Sequence, residues 1–201
     1  MIAMLMLLTL AGPGVPSSVR AVADSPSKAT VSWNYQSQGA PADGFYVERS
    51  LKPSSGFVRV ATVTASSRVY HDSGLYADTG YYYRLRAYKN SQASNYSLIV
   101  MAVTNPLQAP IVNAGIDQDL LLGNTSSLMA VVTTDGLRPT DIVSYKWYMV
   151  SGPGLVDFSN ATGLITTAKF TVVGRYVLRF EATIVTANGV MLRSVARVQM
   201  A

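Results

Sequence analysis

Apolar side chains in this chain recur at every second residue. Ala29, Val31 and Trp33 share one parity around Thr30 and Ser32. Tyr81, Tyr83, Leu85 and Ala87 alternate with Tyr82, Arg84 and Arg86. Val143, Tyr145, Trp147 and Met149 repeat the pattern, as do Tyr176, Leu178, Phe180, Ala182 and Ile184. A period of two places one set against a core and the other in water, which is the habit of antiparallel sheets. No stretch sustains a helical period, and turn residues separate the runs, so an all-β sandwich is expected.

The 201 residues suit two domains of about 100 residues each. The alternation breaks at Thr104-Asn105-Pro106-Leu107-Gln108-Ala109-Pro110. Two prolines there favour an extended, stiff connection. The expected division is an apolar arm or signal-like segment over 1–14, a domain over 15–104, a linker over 105–110 and a domain over 111–201. A linker this short predicts a rod with restricted bending. Asn188-Gly189, two residues that can take positive φ, predicts a long closing hairpin. Leu98 to Val103 is apolar on both faces. Burial under the second domain or the N-terminal arm is the expectation, with an inter-subunit contact as the alternative.

Charged residues make up only 13% of the chain against 49% hydrophobic. The usual charged share is about 25%. A surface so poor in charge suggests cover by a partner or a neighbouring copy. Sixteen Lys and Arg against eleven Asp and Glu give a net charge of +5. The cations are spread singly along the strands, without the concentration a nucleic-acid binder needs, so no nucleic-acid partner is expected. The absence of cysteine removes disulfides, thiolate nucleophiles and thiolate metal sites. Met1 to Leu10 carries no charged side chain and is too short to span a bilayer, which needs about 20 residues. It is either a signal peptide or a packing arm whose Met1, Met4, Leu5, Met6, Leu7 and Leu8 contact a partner or another copy.

Residues from about Val15 to Thr104 resemble a fibronectin type III domain. Pro16 opens the first strand, Trp33 stands as the second-strand tryptophan, and Gly44-Phe45-Tyr46-Val47-Glu48-Arg49 looks like the third strand. Leu75, Thr79, Tyr81, Tyr83 and Leu85 follow the signature leading into the sixth strand, with Ala77 where the family usually has proline. The resemblance implies that Tyr81 makes the corner hydrogen bond of such sandwiches. Residues from about Ile111 to Ala201 resemble a polycystic-kidney-disease (PKD) type domain. Asn113 to Gln118 is similar to its opening, Tyr145-Lys146-Trp147-Tyr148 to its tryptophan strand, and Gly174-Arg175-Tyr176 to the start of its sixth strand. Together they imply two tandem immunoglobulin-like antiparallel β-sandwiches. Both families are mostly non-enzymatic spacers and binding modules, an analogy at the level of fold.

Little in the chain suggests chemistry. The single histidine, His71, precedes Asp72, but neighbours on a strand point to opposite faces, so Asp72 does not orient it. Asp117 and Asp119 are two apart and could reach one calcium ion, though nothing nearby supplies the six to eight oxygens it wants. No catalytic residues, cofactor or committed metal site are expected. Tyr46, Tyr82, Tyr88 and Tyr148 fall on outward faces, where they could bind a sugar or protein, or simply stabilise the sheet. Sequons occur at Asn95, Asn124 and Asn160, and Asn90 to Asn95 carries no Arg-Gly-Asp. The expected role is a non-enzymatic structural or assembly protein on a larger surface: a virion decoration or tail component, or an extracellular filament subunit. Its partners would be proteins or other copies of itself, at an extracellular, virion or cell surface. The alternative is a secreted or cell-surface module for adhesion or carbohydrate binding, with surface glycans as partner.

Overall fold

The computed structural model describes residues 12–37, 41–119 and 125–201, and among them there are sixteen β-strands and no helix. The chain divides into two compact units that meet between Pro106 and Leu107.

In the first unit β1 (Ser17–Ser25), β2 (Lys28–Asn34) and β5 (Val69–Asp72) form one antiparallel sheet in the order β1-β2-β5. The second sheet runs β4 (Val58–Thr64), β3 (Gly44–Ser50), β6 (Gly80–Lys89), and β6 is flanked by β7 (Gln92–Ala93) and β8 (Val100–Val103). The inward residues of both sheets meet in one core: Val31 and Trp33 from β2, Phe45 and Val47 from β3, and Tyr83, Leu85 and Ala87 from β6. Trp33 meets Phe45 edge-on at 5.4 Å. Tyr81 Oη accepts the Tyr76 N–H at 2.8 Å, beside buried Leu75. That bond ties the start of β6 to the loop that enters it, the corner role assigned to Tyr81.

Between β7 and β8 the strand is irregular, and two serines repair the ladder. Ser97 and Ser94 donate their N–H groups to the carbonyls of Leu85 and Ala87, at 2.7 and 2.9 Å. Their hydroxyls accept the Leu85 and Ala87 N–H groups, each at 3.0 Å. No β6 donor on this stretch is left dry, which is what burial demands.

In the second unit β12 (Ile142–Ser151), β15 (Tyr176–Val185) and β16 (Met191–Met200) form one sheet, in that order. It faces β10 (Thr125–Met129), β14 (Ile165–Phe170) and β13 (Val156–Phe158) across a core of Leu128, Trp147, Ala168, Leu178 and Phe180. Trp147 packs on Phe180 at 4.9 Å and donates its indole N–H to the Gly163 carbonyl at 3.1 Å. Tyr176 Oη donates to the Val172 carbonyl at 2.7 Å, so this unit too has a tyrosine tying a strand to the loop before it. The chain enters through β9 (Ile111–Asn113), which pairs β11 (Val131–Thr133), then runs parallel to β16 at Gln118.

The closing hairpin forms as expected, with Tyr176–Val185 paired to Met191–Met200, but its turn is of another kind. Gly189 has φ 79°, while Asn188 is not among the residues of positive φ. Its turn is closed by Gly189 N–H to Thr186 carbonyl at 2.8 Å, and Thr186 N–H donates to Val190 at 2.9 Å. One left-handed glycine after an ordinary turn makes a longer loop than the two-residue kind Asn-Gly suggested.

Candidate interaction surfaces

The outward face of the first unit's larger sheet carries alternating arginine and aromatic side chains. Tyr46 stacks on Tyr88 with ring centres 4.4 Å apart, and Arg59 lies 3.5 Å over the Tyr46 ring. Arg84 sits 3.6 Å from the Tyr96 ring and 4.3 Å from Phe57. Glu48 is buried beneath them. It accepts Arg84 Nε and Nη2 at 2.9 and 2.8 Å and the Tyr96 hydroxyl at 3.0 Å. Cation–π pairs stabilise by about 0.5–1 kcal/mol where exposed, as at Arg59, and by up to about 2 kcal/mol where desolvated. Tyr46 and Tyr88 are therefore engaged by each other and by arginine. Tyr148, in the second unit, donates to Glu181 at 3.0 Å with Arg179 at 4.2 Å from its ring.

Tyr82 differs. It pairs in register with Met101 of β8 on one side and Ser50 of β3 on the other. Val100 and Ala102 turn toward the core, while Met101 and Val103 turn out and are 49% and 50% exposed. Leu98 and Ile99 just before them are 86% and 42% exposed. The burial expected for Leu98 to Val103 is thus corrected: only alternate residues are covered, and the rest form an apolar strip beside Tyr82. No charged residue occurs from Asn90 to Ile116. Next to the strip, Val15 to Val19 and Tyr96 to Val100 line an open groove of about 470 Å³ with no Asp, Glu, Lys or Arg in its wall.

No pattern in the sequence announces the network around Asp72. This carboxylate is buried at the end of β5, and Arg49 Nη1 lies 2.8 Å from both of its oxygens. Tyr83 Oη donates to it at 2.9 Å and Ser73 N–H at 3.0 Å. Arg49 comes from β3 and Tyr83 from β6, so the network pins one sheet to the other. His71 is exposed, with Nδ1 at 2.9 Å from Thr30 Oγ1. Burial pushes the Tyr83 phenol far above its ordinary value, and the Asp72 charge adds to the shift. Tyr70 is raised by the same causes in the same order. The native state keeps these protons where the unfolded chain sheds them. Stability should hold below the ordinary tyrosine value of about 10 and fall as pH rises past it. Urea unfolding from pH 8 upward should show that fall, and Tyr83→Phe should make it shallower.

Asp117 Oδ1 accepts the Gln199 N–H at 2.7 Å, where the entering chain joins β16, and Asp119 is exposed. Among the described residues no three His, Cys, Asp or Glu come together as metal ligands. Asn95 and Asn160 are exposed. Met1, Met4, Leu5, Met6, Leu7, Leu8 and Asn124 lie outside the described residues.

Residues 14–103 match the family model of the fibronectin type III domain, and the first unit is such a domain. Two curated proteins are similar over part of the chain. An alpha-amylase of Niallia circulans is 33% identical over 93 residues, 46% of this chain. The dyslexia-associated protein KIAA0319 homolog of Rattus norvegicus is 35% identical over 86 residues, 41% of this chain. The matched segment is 7% of the length of each. Among solved structures, an Fn3-like protein from Clostridium thermocellum is 28% identical, with a TM-score of 0.41 over 49% of this chain and 99% of its own.

Proposed function

We propose that this chain is a non-catalytic structural module of an extracellular, cell or virion surface, and that it assembles with other copies of itself through the strip Leu98, Ile99, Met101 and Val103. The carrying observation is that strip: four large apolar side chains in the open, bordered by Tyr82, within a run lacking charge. Proteins that stay apart blunt such places with lysine, glutamate or proline. A surface with no charge selects partners by shape and apolar area, and a copy related by a two-fold axis presents the same surface back. Fibronectin type III domains are adhesion- or binding-type modules common in extracellular proteins, which supports the setting. No helix among the described residues is long and apolar enough to cross a membrane. The second unit is proposed as a PKD-like sandwich, supported by buried Trp147 and by the Tyr176 corner bond. The glycan-platform reading is less favoured, because Tyr46, Tyr88 and Tyr148 are already engaged.

Size-exclusion chromatography with light scattering over a dilution series tests the proposal. The full chain should show a mass above one chain that falls on dilution. Leu98→Lys with Met101→Lys should show one chain throughout. A single-chain mass for the unaltered protein at every concentration would refute self-assembly.

A further inference from the structure

The outward face of the β12-β15-β16 sheet gathers cations that are far apart in sequence. The register sets Ser144, Thr183 and Arg193 in one row, Lys146, Glu181 and Val195 in the next, and Tyr148, Arg179 and Arg197 in a third. Lys146, Arg193 and Arg197 are exposed. Glu181 is the one carboxylate of these rows. It is shared by Arg193 Nε at 3.4 Å, Arg179 Nη2 at 3.9 Å and the Tyr148 hydroxyl at 3.0 Å. Four cations therefore face one acid. Arg179 and Arg197 stand directly opposite each other, a like-charge pairing that destabilises a sheet.

We infer that this face binds a linear acidic polysaccharide. The occupant must be anionic, since charge complementarity is what the face offers. Its charges need only be sparse: the face offers four cations, with Arg193 and Arg197 about 14 Å apart along β16, where a duplex nucleic-acid binder can engage about 6–10 phosphates. Single-stranded nucleic acid needs free rings for its bases to stack on. Tyr148, the aromatic of these rows, is occupied by Arg179 and Glu181. Hydroxyls of Ser144 and Thr183 share the row of Arg193, as suits a chain carrying hydroxyls beside its carboxylates. The inference concerns the second unit and does not depend on the strip at Leu98 to Val103.

Calorimetric titration of the full chain with alginate at low salt is the test, with neutral dextran and duplex DNA as comparisons. Alginate should bind, with an affinity that drops steeply as salt rises. Arg193→Ser with Arg197→Ser should weaken it at least tenfold. Lys28→Ser with Lys169→Ser removes the same charge elsewhere and should leave it within twofold. The Arg193/Arg197 pair should melt no lower than the parent, because losing Arg197 relieves Arg179. Arg197→Thr alone, a residue suited to strands, should still weaken alginate severalfold. Absence of alginate binding, equal weakening by both pairs, or tighter binding of duplex DNA through the same arginines would overturn the inference.

Discussion

Asp72→Ala is expected to cost the first unit about 3–5 kcal/mol, the usual toll for breaking a buried ion pair from one side. The loss is compound. Arg49 is left partly buried without its counter-charge, and the Tyr83 hydroxyl is left buried without its acceptor. A domain's whole stability is about 5–15 kcal/mol, so the effect approaches unfolding. The protein has two tryptophans, and each is buried in the core of one unit. In a Trp147→Phe background, fluorescence of Trp33 should report a urea midpoint moved far down by Asp72→Ala. In a Trp33→Phe background, the Trp147 transition should hold. Less than about 1 kcal/mol of loss at Trp33, the scale of an exposed pair, would show that Asp72 does not join the sheets.

Gly152→Val carries the second large effect. A Cβ at Gly152 would overlap one edge of the Tyr176 ring. That ring packs on Phe170 at 4.8 Å while its hydroxyl holds the Val172 carbonyl. Overpacking costs about 1–3 kcal/mol, and stranding a buried polar group costs about 1–3 kcal/mol more. The Trp147 transition should drop by their sum. Tyr176→Phe removes the hydrogen bond alone and should lose only the second part. Equal losses for the two variants would mean that the ring was never displaced.

Trp33, Trp147, Tyr81 and Tyr176 were legible because period-two burial depends only on local sequence. Features that depend on register were not. Asp72 reads as a strand-end acid beside the lone histidine, since Arg49 and Tyr83 reach it from separate strands of the facing sheet. Lys146, Arg179, Arg193 and Arg197 read as scattered cations until three strands are laid side by side. Leu98 to Val103 misleads because uniform apolarity looks like two-sided burial, whereas only Val100 and Ala102 meet the core. Ser94 and Ser97 carry no pattern at all, because a hydroxyl replacing a carbonyl in a ladder depends on where the strand bends.

Amide hydrogen exchange of the full chain, compared between dilute and concentrated solution, bears most directly on the claim that this is a contact-making module. Concentration should slow exchange along Leu98 to Val103 and in the facing stretch around Tyr82. Unchanged exchange there, with protection arising on some other surface, would contradict the account.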